Sequence, residues 1–146
     1  MRVERCFWLY LLECENGSFY TGYTKNLAIR YYQHKKGKQS ARYTRSFKPI
    51  KIAQCWRLFD TIGTALKVER FIKNQDRKTK LQWIENPEEL KPRASKNMEK
   101  ELILLPFDAS KVEEESNKMN WRKIKNGFDP FGGISTSFLN STQEKP

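Results

Sequence analysis

The sequence is short of the residues that staple small proteins together. Of its 146 residues only Cys6, Cys14 and Cys55 are cysteine. That odd number, with no CxxC spacing, supports neither a disulfide framework nor a zinc site, and a reducing, cytoplasmic setting is the expectation. Long apolar runs are missing too. Nothing approaches the roughly 20 residues that a membrane-spanning helix needs. The N-terminus also lacks the charged-then-apolar layout of a signal peptide, so no membrane partner is expected. There is no internal repeat, and the length allows one domain with a little to spare. Histidine occurs once, as His34.

Acidic residues are scarce relative to basic ones. Lys and Arg number 28 against 17 Asp and Glu, for a net charge of +11. Residues 1–90 carry +9 of this and residues 91–146 only +2. Such a field attracts polyanions, and each phosphate contact releases counterions, which makes nucleic acid the first partner to consider. Charge kept for solubility, or association with a ribosome, accounts for the composition equally well.

Strand and helix signals are concentrated in the first 90 residues. Cys6–Cys14 (CFWLYLLEC) is almost continuously apolar, which suits a strand covered on both faces. After the turn signal Glu15-Asn16-Gly17, Phe19–Thr24 again has strand composition, so the two read as a hairpin. Asn26 can cap a helix over Leu27–Lys36, with Gly37 as a left-handed stop. A long basic loop leads to a third strand, Lys51–Phe59. Thr61 or Thr64 opens a second helix to about Asn74, and Asp76 caps a shorter one, Arg77–Ile84, closed by Asn86-Pro87. The order β-β-α-β-α-α predicts a small sheet with helices packed on it, filling residues 1–90. Residues 91–146 read as a partly helical extension. It has a short amphipathic stretch around Met98–Leu105, a capping box Ser110-Lys111-Val112-Glu113 before a charged helix ending near Gly127, and a loosely held tail.

The hairpin register decides whether Tyr10 and Tyr20 can work together. A two-residue Asn-Gly turn would set Tyr10 opposite Tyr23 and send Tyr20 to the other face. A type I turn with Gly17 as a left-handed bulge residue would set Tyr10 opposite Gly22, leaving Tyr10, Tyr20 and Gly22 on one face. Both registers are chemically sensible. Gly22 itself marks a bulge or a close approach by backbone or ligand. On the first helix Arg30 and His34 lie four apart, beside Leu27 and Tyr31; an arginine fork suits a phosphate, although an exposed Arg stacked over a half-buried His is the plainer reading.

On the second helix Ile62, Ala65, Leu66 and Ile72 define an apolar stripe, and Glu69 falls in its middle. A carboxylate there needs compensation, from a salt bridge to Arg30 or another cation, or from Mg²⁺, which one or two carboxylates commonly hold. Between the first helix and third strand, Lys35–Lys51 carries seven cations and no acid, with Tyr43 and Phe47 interleaved. That mixture can track a phosphate backbone and stack bases, or simply be a solvated loop.

Together these residues resemble the GIY-YIG nuclease superfamily, in particular its small single-domain bacterial branch of UPF0213-like proteins. Trp8-Leu9-Tyr10 stands where that family has GIY, and Tyr20-Thr21-Gly22 where it has YIG. The resemblance continues through Asn26-Leu27-Ala28-Ile29-Arg30 and His34, Ala41-Arg42-Tyr43-Thr44-Arg45, and Ala65-Leu66 with Glu69, Ile72 and Lys73, spanning about residues 7–85. Trp8, Leu9 and Thr21 depart from the motif while leaving both tyrosines and Gly22 in place, and Tyr23 replaces what is usually a smaller aliphatic residue.

The resemblance implies an α/β fold, a small three-stranded antiparallel sheet flanked by helices that wall a cleft, and so favours the bulged register. It also implies a metal-dependent endonuclease that hydrolyses DNA phosphodiester bonds. In that reading Glu69 would hold Mg²⁺ or Mn²⁺, and Arg30 would bind the scissile phosphate. Tyr10 or Tyr20 would orient or deprotonate the attacking water, and His34 would hydrogen-bond a tyrosine or pass a proton. Gly22, Lys35, Lys36, Lys38, Arg42, Tyr43, Arg45, Lys48 and Lys73 would contact the nucleic acid. Without a separate DNA-reading module, sequence specificity should be modest, and single-stranded or branched DNA fits the aromatic basic loop. The rival expectations are a nucleic-acid-binding module that keeps the fold without cutting, and a basic scaffold protein.

Overall fold

The computed structural model describes residues 5–37 and 42–119. Strand β1 (Arg5–Cys14) is central, as its continuous apolar run requires: β2 (Phe19–Thr24) pairs with one edge and β3 (Pro49–Asp60) with the other, both antiparallel. The β1–β2 turn adopts the bulged form. Gly17 has φ +84°, its N–H donates to the Cys14 carbonyl, and Tyr10 pairs with Gly22 and Leu12 with Tyr20. The Asn-Gly alternative, with Tyr10 opposite Tyr23, is therefore not taken.

The sheet has four strands among the described residues, in the order β2-β1-β3-β4, where three were expected. The added strand, β4 (Leu104–Phe107), pairs Cys55 with Phe107 and Leu58 with Leu104. It arises in the segment read from sequence as an extension. Four residues including Pro106 show no alternation that would announce a strand; pairing with β3 makes it one.

Caps set the helix ends. Asn26 accepts from Ile29 N–H to open α1 (Leu27–Lys36), and Gly37, at φ +77°, closes it. Thr61 caps α3 (Ile62–Lys73), and Asp76 caps α4 (Arg77–Glu85). The basic loop contains a short helix, α2 (Arg42–Ser46). After a 3-10 turn at Pro87–Glu89 comes α5 (Leu90–Met98), and β4 leads into α6 (Ala109–Asn117). Asp108 caps α6 by accepting from Ser110 N–H, in place of the expected Ser110 cap. The expected helix end near Gly127, and the tail, lie outside the described residues.

Alternate residues of β1 serve two cores. Phe7, Leu9 and Leu11 pack with Trp56, Leu58, Trp83 and the inner side of α3, while Trp8, Tyr10 and Leu12 pack with Leu27, Ala28, Tyr31, Ile52, Cys55 and Val112. Fully burying each large apolar side chain contributes about 1.5–3 kcal/mol. Leu90, Ala94, Leu102 and Leu104 belong to the first core and Val112 to the second, so residues 90–112 pack on the same sheet as the hairpin.

The inner side of α3 differs from the expected stripe. Thr64, Ala65, Val68 and Ile72 face the sheet, whereas Ile62 and Leu66 are 49% and 43% exposed. Glu69 therefore sits at the margin of the packed side, beside Val68, and not at its centre. Its side chain is 17% exposed.

Candidate active site

Strand pairing places Tyr10 and Tyr20 on one face, with ring centroids 6.4 Å apart, and α1 brings His34 against both. The space beside Gly22 is filled by Tyr10. A Cβ at position 22 would lie 2.5 Å from both Cζ and Oη of the Tyr10 ring. The close approach marked by this glycine is thus that of a neighbouring phenol, which explains its role without a nucleic-acid contact.

His34 is 1% exposed and bonded through both ring nitrogens, to Tyr10 Oη at 3.1 Å through Nε2 and to Thr44 Oγ1 at 2.8 Å through Nδ1. Arg30 also reaches the Tyr10 hydroxyl. A guanidinium can only donate, so the assignment that satisfies every group has Tyr10 accepting from Arg30 and donating to His34 Nε2. His34 Nδ1–H then donates to Thr44. Burial, reinforced by the nearby Arg30 charge, lowers the imidazole pKa to about 3, which keeps the ring neutral. Thr44, which closes this chain, was missed as a site residue in the sequence; its only signal was its place in the Ala41–Arg45 stretch.

Burial, reinforced by Tyr20, pushes the Tyr10 phenol well above its ordinary value, against a smaller downward pull from Arg30. Tyr20 is only half-buried. Burial raises its phenol too, Arg30 opposes this, and the Glu69 carboxylate adds to it. Glu69 acts on both phenols in this way, which brings the α3 carboxylate into the electrostatic neighbourhood of the hairpin and α1. Of the five expected catalytic side chains, Tyr10, Tyr20 and His34 are thus in mutual contact, while Arg30 and Glu69 act on the two phenols electrostatically. The compensating cation on Glu69 is Lys73, one helical turn on at 3.8 Å.

The nucleic-acid candidates divide. Tyr43 stacks on Tyr20 at 6.1 Å and 20°, while its hydroxyl is held by Ser18 and by Asn16 Nδ2 at the hairpin turn. Phe47 tilts against it at 5.2 Å. Arg42, Arg45 and Lys48 are exposed alongside. Lys35 and Lys36 lie instead over Tyr31 and Tyr32 of their own helix, and Lys35 also donates to Asn117 on α6. Lys38 lies outside the described residues.

Among the described residues no cluster of three or more His, Cys, Asp or Glu could cage a cation. The donor set does fit Mg²⁺ or Mn²⁺ held in the looser way: one partly buried carboxylate, with only a 3.8 Å ion pair to displace, leaving the remaining positions to water and phosphate oxygens.

A strand pair joined through Tyr10 and Gly22, with Arg30 and His34 on the next helix, is the arrangement the GIY-YIG resemblance implies. The model of the GIY-YIG catalytic domain matches residues 6–82, over half the chain, and the protein belongs to that family. Within it the chain is similar to UPF0213 proteins. It is 39% identical over 84 residues to one from Syntrophus aciditrophicus (strain SB), covering 57% of this chain and 95% of that one. It is 43% identical over 91 residues to one from Cupriavidus pinatubonensis, covering 60% and 99%. A solution NMR structure of a UPF0213 protein from Bacillus halodurans matches at 35% identity and TM-score 0.35, over 55% of this chain and 83% of that one. No helix among the described residues is long and apolar enough to cross a membrane.

Proposed function

We propose that the protein is a metal-dependent endonuclease that hydrolyses phosphodiester bonds in DNA, single-stranded or branched DNA being the favoured substrate. The observation that carries this reading is the shared environment of two phenols, a guanidinium and a carboxylate drawn from four separate elements, in a chain of charge +11. Arg30 offers its fork to the scissile phosphate and offsets charge as it builds. Tyr20, half-buried, is the phenol within reach of water and orients the attacking molecule. Tyr10 stays protonated, its hydroxyl fixed between Arg30 and His34, and so holds Arg30 in place. His34, neutral, serves as a hydrogen-bond acceptor and not as a phosphate-binding cation.

Glu69 would hold Mg²⁺ or Mn²⁺, which when bound polarises the phosphate and stabilises the leaving oxygen. Neutralising Glu69 also removes one of the influences that keep Tyr20 protonated. Tyr43 and Phe47, each over a third exposed beside Arg42 and Arg45, offer a stacking surface next to Tyr20 for unpaired bases.

The test is cleavage of single-stranded, duplex and forked DNA at matched salt with Mg²⁺ or Mn²⁺. Glu69→Ala and Arg30→Ala should lose cutting while remaining folded. Equal cutting by those variants would expose a contaminating nuclease. A gel shift that survives EDTA, with no cleavage under either metal, would favour the alternative of a binding module that does not cut.

A further inference from the structure

Helix α6 lies beyond the segment matched by the family, residues 6–82, yet it is fastened along the helix that carries Arg30 and His34. Val112 packs in the same core as Leu27, Ala28 and Tyr31. One turn further along, Lys35 of α1 donates to Asn117 at 3.2 Å. Between these contacts stands Glu113. Its Oε2 accepts from the Ile52 backbone N–H at 2.6 Å, and its negative charge helps burial raise the phenol pKa of Tyr31 on α1, which is buried.

The position of Ile52 makes this contact informative. The β1–β3 ladder slips between Leu11, opposite Gln54, and Leu12, opposite Ile52, so Ala53 is an extra residue and the strand bends there. On the other side of β3, β4 covers only Cys55–Leu58. An amide at such a bend needs an acceptor from elsewhere, and a carboxylate provides a short, charge-assisted one. The same carboxylate acts electrostatically on Tyr31, one residue after Arg30 and three before His34.

We propose that Glu113 is a positioning residue for the site: by fastening α6, which packs on α1 through Val112 and Asn117, to the Ile52 amide on β3, it seats Arg30 and His34 beside Tyr10. The link to cutting rests on the nuclease reading above; the seating of α1 does not. Helix α6 is then a brace that this chain supplies from outside the family-matched segment.

The full chain tests this through Glu113→Ala, Glu113→Gln and Tyr31→Phe, read by amide hydrogen exchange and by the NMR signals of the single imidazole. In Glu113→Ala, α1 amides should exchange at least tenfold faster while β1 amides hold their protection, and the His34 signals should shift. Glu113→Gln, which keeps an acceptor oxygen, should restore most of both. Where DNA is cut, kcat should fall about tenfold with KM little changed. If Glu113→Ala does not fold, Tyr31→Phe, which removes the phenol that senses the carboxylate, and Asn117→Ala, which removes the bond from Lys35, carry the same comparison. Unchanged α1 exchange, or acceleration shared equally by α1 and β1, would overturn the proposal. A wild-type chain that cuts no DNA would refute the nuclease reading and leave the exchange result to decide the seating of α1.

Discussion

The two faces of β1 are built from alternate residues of one ten-residue strand and do different work. Phe7, Leu9 and Leu11 pack in an apolar core that includes two tryptophans. Trp8, Tyr10 and Leu12 meet α1 and α6, and there a phenol, an imidazole and a hydroxyl are buried in a bonded chain. The first face resembles the interior of any stable domain. The second spends burial on keeping polar groups in fixed positions, as a site that must be preorganised requires. Substitutions on the two faces should therefore separate stability from activity.

The sharpest separation should come from Glu69→Ala. It removes a partly exposed carboxylate with a loose ion pair, so unfolding in urea should change by less than about 1 kcal/mol, while DNA cleavage should drop on the order of a thousandfold or more. Leu9→Ala should do the reverse. It empties a fully buried position and should cost about 2–5 kcal/mol in denaturant titrations, with cleavage per folded molecule largely kept at low temperature. A protein in which Leu9→Ala lost activity before stability would contradict the division between the faces.

Gly22→Ala tests the contact that unites the site face. A methyl group 2.5 Å from the Tyr10 ring forces that ring to move, at a cost of about 1–3 kcal/mol for overpacking. Activity should suffer with it, and a parallel Tyr10→Phe variant, which frees the space around the hydroxyl, should tolerate the added methyl better.

A further separation concerns pH. His34 falls from an ordinary value of 6.5 to about 3 in the fold, through burial and then Arg30. Because the folded pKa lies below the unfolded one, the unfolded chain binds a proton that the fold refuses. Stability from this residue is complete above pH 6.5 and declines as pH falls towards 3. Urea midpoints between pH 7 and 4 should show this slope, and His34→Gln should flatten it.

Local chemistry was legible in the sequence. The hairpin, the Asn26 and Asp76 caps and the Gly37 stop depend on neighbours within a few residues, and each stands where its residue type demands. Properties set by distant partners were not. A wheel that counts Ile62 and Leu66 as apolar cannot know that Val68 faces the sheet in their stead, so it centres Glu69 on a stripe at whose margin the residue stands. Thr44 meets His34 only because α2 folds back over α1, and β4 exists only because β3 accepts it.

The tight fit of Tyr10 over Gly22 has a bearing on how this sequence can drift. The last letter of each name-giving tripeptide is locked to the last letter of the other, so a side chain gained at 22 requires a smaller one at 10. The middle letters escape that bond, since Leu9 answers to the opposite core. Variation at Leu9 and Thr21 should then be read as a change of packing, and variation at Tyr10 or Gly22 as a change of trade.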